Sequence, residues 1–181
     1  MNGLQMIDLF FRRGNPTNRW ERTPELNLKV ELFGTPAVNG IAVGSLLDNL
    51  SFLGRSSSND KTPLDYSDLG FSVDSENDGT FSGFQIVQSD PEGEFAGFAG
   101  TLTLNNSEVK PNEILAQLGT PFWVDTDETE TISFFEFRTH EIQICQSPSG
   151  VIQRTIVTSF HLMGDPEQRR MYGVTEAWPP F

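Results

Sequence analysis

A short pattern that recurs together with its surroundings constrains this chain more than any other feature. Leu50-Ser-Phe-Leu53-Gly54 is matched by Leu115-Ala-Gln-Leu118-Gly119 at an offset of 65 residues. Each copy is followed by alternating apolar residues and a glycine turn, and Gly79-Thr-Phe81 and Gly150-Val-Ile152 correspond at an offset of 71. The units therefore differ by a short insertion, and two copies point to a fused pair, not to a solenoid. One short helix cannot cover a small sheet on both faces, so each unit leaves an apolar surface for its twin to bury. The expected architecture is α+β: a duplicated helix-plus-β-hairpin unit, with one antiparallel sheet and the helices packed on one side. Residues 1–181 form one domain in this reading, with units at approximately 28–90 and 98–160, a lead-in at 1–27 and a tail at 161–181.

The local signals fill in that plan. Leu28, Val30 and Leu32 alternate as a strand. Val43, Leu46, Leu47 and Leu50 fall at i, i+3, i+4 and i+7, the stripe of a short amphipathic helix that Gly54 ends. The segment from Arg55 to Pro63 reads as a polar loop. Leu69, Phe71 and Val73, then Asn77-Asp78-Gly79, then Phe84 and Ile86 read as a hairpin. Leu102 and Leu104 form a strand, Pro111 opens a helix through Ile114, Leu115 and Leu118, and Gly119 and Pro121 close it. Ile132, Phe134 and Glu136, then Ile142 and Ile144, then Val151 to Phe160 complete the second set of strands.

Charge and cysteine usage narrow the functional classes. The net charge of −13 sits in the middle: residues 60–141 hold seventeen acids and three bases. Such a field repels nucleic acid and anionic lipid and speeds encounter with a basic partner. The single cysteine, Cys145, allows no internal disulfide and suits a reducing, cytoplasmic compartment. The apolar run Leu4 to Phe11 is interrupted by Gln5 and Asp8 and lacks a preceding basic segment, so it reads as a strand or short helix, not a signal peptide. No stretch reaches the roughly 20 apolar residues of a membrane span.

Several of these residues carry a resemblance. Tyr66-Ser-Asp68-Leu69-Gly70-Phe71, Phe95-Ala-Gly97-Phe98-Ala-Gly100-Thr-Leu102-Thr-Leu104, Leu118-Gly119-Thr-Pro121 and Asp127-Glu128-Thr-Glu130 resemble a group of uncharacterised bacterial proteins. Those proteins combine a Tyr-Asp-x-Leu-Gly strand, an F-x-G-x-L strand, a Leu-Gly-x-Pro helix end and a terminal hairpin; here Ser67 separates Tyr66 from Asp68. The repeated layout is also similar to the tandem units of β-lactamase-inhibitor proteins and of small outer-membrane assembly lipoproteins. The resemblance implies a non-enzymatic binding module, with immunity to bacterial toxins among the roles it suggests.

A search for chemistry finds no catalytic constellation. His140-Glu141 lacks the second histidine of an H-E-x-x-H helix, because position 144 is Ile. Asp74-Ser-Glu76-Asn-Asp78-Gly79 approaches a calcium loop, but its twelfth position is Gln85, and Asp-Gly is what a hairpin turn requires. No G-x-S-x-G elbow and no phosphate-binding Gly-Lys-Ser/Thr is present. No catalytic residue, metal ligand or cofactor is therefore assigned. What remains is the densest acidic cluster, Asp125, Asp127, Glu128 and Glu130, with Trp123 beside it and Trp178 near the chain end. Carboxylates next to an aromatic anchor suit a protein contact. The expectation is an acidic protein-binding module, an immunity or inhibitor protein that occludes a basic partner such as a toxin, with no nucleic-acid or membrane partner. A hydrolase or calcium-dependent enzyme using the clustered carboxylates, and a structural or regulatory subunit, are the alternatives.

Overall fold

The structure is a computed structural model that describes residues 15–60 and 62–178; the element expected at Leu4 to Phe11 and the final Phe181 lie outside the described residues. It consists mainly of two β-sheets. A five-stranded sheet has the order β3-β2-β1-β7-β8, from β1 (Lys29–Glu31), β2 (Ala37–Val38), β3 (Ile41–Ala42), β7 (Thr101–Leu104) and β8 (Ser107–Glu108). A seven-stranded sheet has the order β4-β5-β6-β12-β11-β10-β9. Its strands are β4 (Leu64–Tyr66), β5 (Phe71–Ser75), β6 (Phe81–Val87), β9 (Trp123–Thr126), β10 (Thr131–Phe137), β11 (His140–Gln146) and β12 (Ile152–Thr158).

The expected α+β architecture with helices packed on one side is corrected by this arrangement. The stripe at 43–53 forms a 3-10 helix over Leu47–Leu53, and the second helix, α1, is only Ile114–Leu118. The reason lies in the spacing. Leu47, Leu50 and Leu53 are buried at intervals of three, which suits three residues per turn, while Leu46 is 65% exposed. Asp48, Asn49 and Ser51 between them are weak formers of α-helix interiors. Helices this short cannot cover the large sheet, and the five-stranded sheet takes their place. One apolar cluster joins Val30, Leu102 and Leu104 of the small sheet, and Leu32 just beyond β1, to Phe71, Phe84, Ile86, Ile142, Ile144 and Val157 of the large one. Leu50, Leu53 and Ile114 plug it, and Phe33 meets Phe137 edge-on at 4.8 Å.

Two features organise the pairing. The small sheet contains a parallel pair, β1 with β7, in the register Val30↔Leu102 and Glu31↔Thr103, and not the wholly antiparallel pairing expected. Glu31 secures this joint. Its Oε1 accepts from the Phe33 and Asn105 amides at 3.2 and 2.8 Å, and its Oε2 accepts from the Thr103 hydroxyl and the Asn106 amide, both at 2.8 Å. Asn105 and Asn106 both have positive φ, 52° and 63°, the requirement of a tight two-residue hairpin turn between β7 and β8. In the large sheet β4 to β6 meet β9 to β12 through β6 and β12, paired from Gly83↔Thr158 to Val87↔Arg154. A Cβ at Gly83 would lie 2.4 Å from the Val157 carbonyl oxygen, so a side chain there would push the central strands apart.

Among the described residues no helix is long and apolar enough to cross a membrane. The aromatic row Phe71, Phe84 and Phe81, with centroids 5.9 and 6.1 Å apart, lies at the centre of the core. Phe84→Ala is expected to cost about 3–5 kcal/mol, through lost burial and an unfilled cavity. Urea unfolding measures it, and a loss below about 1 kcal/mol would contradict this description of the core.

Candidate functional site

The outward face of the large sheet follows from alternation along the strands. Phe84 and Ile86 of β6 enter the core, so Gln85 and Val87 point the other way. Their partners across the ladders share that face: Ile156 and Arg154 on β12, then Gln143 and Cys145 on β11. Beyond them come Phe134 and Ile132 on β10, with Glu136 opposite Glu141, and finally Trp123 and Asp125 on β9. This face has an open half over β6 and β12 and a covered half over β10 and β11.

The open half holds a groove of about 510 Å³. Gln85, Val87, Gln153 and Arg154 line it from the strands, Asp90 to Phe95 form one wall, and Thr129 and Glu130 form the other. Arg154 Nη2 donates to Glu130 Oε2 at 2.8 Å, a partly exposed pair worth no more than about 1 kcal/mol. The wall carboxylates differ in their freedom. Asp90 accepts from the Glu92 amide at 3.0 Å and the Phe95 amide at 2.8 Å, and the Phe95 bond is the main cause of its lowered pKa. Glu92 and Glu94 are exposed.

The covered half lies beneath residues 159–178, which form a strap. His161 Nε2 lies 2.6 Å from the Phe137 carbonyl oxygen, which can only accept, so that nitrogen carries the proton. The Leu162 and Met163 amides donate to Glu141 Oε2 at 2.8 and 3.5 Å, and Met163 is fully buried. Asp165 caps the helix α2 (Pro166–Met171) by accepting from the Glu167 amide. Arg169 Nη1 donates to the Met163 and Gly164 carbonyls at 2.6 and 3.0 Å. Tyr172 meets Phe134 at 5.6 Å, and Trp178 meets Phe122 and His161 at 5.7 and 5.3 Å.

Two carboxyls are sealed under the strap. Glu141 is 0% exposed, and so is the Glu136 side chain. Gln143 Nε2 donates to Glu141 Oε1 at 2.6 Å. Burial, reinforced by the neighbouring Glu141, pushes Glu136 up to about 9. Burial beside Glu141 thus favours the neutral form of Glu136, whose oxygens have no hydrogen-bond partner among the described residues. Because its folded pKa is raised, the contribution of Glu136 to stability is fully present below the ordinary glutamate range. That contribution declines as pH rises and is lost by about pH 9.

The remaining reactive groups are quiet. His140 faces the core side, stacked on Phe137 at 4.9 Å, and burial, aided by repulsion from His161, pushes it down to about 4. Burial pushes the Cys145 thiol up to about 11, which leaves little thiolate to act as a nucleophile. Among the described residues no group of three or more His, Cys, Asp and Glu is placed to hold a metal ion. Asp78 accepts from the Thr80 amide at 2.9 Å and so serves its hairpin turn.

The residues expected at a contact are distributed over both halves. Glu130 stands at the groove, Glu128 is exposed at the neighbouring turn, and Asp125 is half-buried on β9. Asp127 builds the turn itself: its Oδ1 accepts from the Thr129 amide at 2.6 Å, the Thr129 hydroxyl at 2.7 Å and the Glu130 amide at 2.9 Å, and these bonds lower its pKa. Trp123 is half-buried, with its indole nitrogen buried and without a hydrogen-bond partner among the described residues, and Trp178 belongs to the strap. Sequence reasoning did not anticipate that the acidic loop with Asp90, Glu92 and Glu94 stands across from Glu130. It also missed the Glu136–Glu141 pair, although a two-residue turn at Arg138 and Thr139 places these glutamates opposite each other.

No family model and no curated protein matches the chain. Among solved structures it is similar to the DUF4309 family protein YjgB from Bacillus subtilis subsp. subtilis str. 168, with a TM-score of 0.49 and 14% identity. That similarity covers 70% of this chain and 88% of the other.

The role of Asp127 in its turn leads to a measurable expectation. Asp127→Ala is expected to speed amide exchange at Thr129 and Glu130, whereas Glu128→Ala leaves both unchanged. In the unaltered protein the stabilising effect is present above the ordinary aspartate pKa of 3.8 and is lost as pH falls through the lowered value. Equal exchange in the two variants would contradict the assignment.

Proposed function

We propose that this chain is a non-enzymatic, acidic protein-binding module that receives a basic partner in the groove over β6 and β12. The observation that carries the reading is the lining of that groove: carboxylates from two separate loops, Asp90, Glu92 and Glu94 on one side and Glu130 on the other, flank an open channel. Arg154 already engages Glu130, which leaves the opposite wall with the uncompensated charge. The field of residues 60–141, seventeen acids against three bases, would steer a cationic surface towards this face.

Action by occlusion follows from that design, since lysines or arginines of the partner would be held in the groove while the surrounding surface covers them. An immunity or inhibitor protein for a basic toxin works in this way, and the resemblance to bacterial binding modules and the single cysteine favour such a role in the cytoplasm. Use of the carboxylates in hydrolysis draws less support: Glu136 and Glu141 are sealed from substrate, and the Asp127 carboxylate is engaged in its own turn.

Comparison of two double variants with the same change in net charge tests the reading. Glu92→Gln/Glu94→Gln alters the groove wall, and Glu113→Gln/Glu128→Gln alters exposed positions outside it. Association of a labelled oligolysine peptide is expected to slow at least about threefold more in the groove variant, with the difference shrinking as salt screens the field. Equal slowing in both variants would show that only net charge matters and would contradict the groove as the contact.

A further inference from the structure

The strap is bound to the sheet through groups that titrate together. The two backbone amides that dock it, those of Leu162 and Met163, end on Glu141 Oε2, and Glu141 is paired in register with Glu136 on the adjacent strand. Both side chains are closed to solvent. We propose that the strap of residues 159–178 is a latch over the buried, unpartnered Glu136 carboxyl, docked through the neighbouring Glu141, closed while Glu136 keeps its proton and released in alkaline solution when Glu136 ionises.

The surroundings of the pair decide the direction of the switch. His161 on the strap places Nε2 3.7 Å from Glu136 Oε2 but directs it to the Phe137 carbonyl oxygen at 2.6 Å. Tyr172 on the strap has its pKa raised, by burial first and then by Asp125, Glu130, Glu141 and Cys145, so it adds no positive charge. Arg169 directs its guanidinium to the Met163 and Gly164 carbonyls and to the Trp178 ring, and Arg138 in the adjoining turn is exposed. No cation on these elements grows to offset a second negative charge as pH increases. With the strap lifted, Glu136 faces water and ionises in the ordinary range near 4.5, whereas in the closed form it holds its proton to about 9. Within that window each pH unit shifts the equilibrium about tenfold towards the open form.

Release would uncover the β10–β11 half of the outer face, which adjoins the acidic groove through the Cys145↔Arg154 pair. The buried Cys145 lies on this face two residues along β11 from Gln143, the partner of the Phe134 that Tyr172 covers, and is the chain's single cysteine, so it reports on the strap. The test is the rate of Cys145 modification by an aromatic disulfide reagent, divided by the rate for the denatured chain at the same pH. In the unaltered protein the ratio is expected to rise about tenfold per pH unit between roughly pH 6 and 9, and in Glu136→Gln to change less than about twofold over that range. It should also be insensitive to low urea, since lifting a strap exposes little surface. A flat ratio in the unaltered protein, the same slope in Glu136→Gln, or a urea response that follows global unfolding would overturn the proposal. Should Glu136→Gln fail to fold, infrared titration of the unaltered protein decides: a protonated carboxyl band must persist at pH 7 and vanish along the Cys145 curve, and its absence at pH 7 overturns the latch.

Discussion

The antiparallel ladder between β6 and β12 joins two strand groups that would otherwise end in open edges, and most of the architecture depends on it. The ladder runs from Gly83↔Thr158 to Val87↔Arg154, with three strands reached through β6 and four through β12. Gly83 permits the close approach, since any side chain there would collide with the Val157 carbonyl. Inward, the ladder contributes Phe84, Ile86 and Val157 to the core that the small sheet covers. Outward, it supplies Gln85, Val87 and Arg154 to the groove. The same pairing thus fixes both the fold's centre and the position of the candidate site.

The outer face also sets a problem that the protein solves by burial. A large sheet with helices too short to cover it exposes apolar residues such as Phe134, and the strap closes over them with Met163 and Tyr172. Closing it buries two glutamates, which is tolerable because burial favours the neutral form of Glu136 and Glu141 receives the Leu162, Met163 and Gln143 donors. Two like charges at positions paired across adjacent strands are costly to hold in a dry site. Glu31 meets a similar need differently, since four donors in the small sheet surround it.

Much of the strand pattern was legible in the sequence, because burial on one face imposes strict alternation. Phe71, Val73, Phe84 and Ile86 lie in β5 and β6 where the spacing put them, and Gly79 forms the turn between them with φ 84°. The helices were less legible, for a spacing of three satisfies a 3-10 turn as well as part of an α-helical stripe. β4 and the two-residue strands β2, β3 and β8 carry too few residues for any period to register, and the parallel β1–β7 joint is a long-range choice that no local pattern encodes. The groove was hidden for the same reason: Asp90, Glu92 and Glu94 lie far in sequence from Glu130. The apparent freedom of Asp127 was misleading, since an aspartate two residues before a threonine is as suited to building a turn as to meeting a partner.

The central claim is that recognition resides on the open half of the outer face. Amide chemical-shift mapping during titration with an oligolysine peptide tests it most directly. The account predicts salt-sensitive perturbations at Gln85, Val87, Gln153 and Arg154 and along the wall from Glu92 to Phe95, with the small-sheet amides of Val30 and Leu102 unmoved. Perturbations scattered over every acidic surface, or confined to Asp125 and Glu128 with the groove silent, would contradict it.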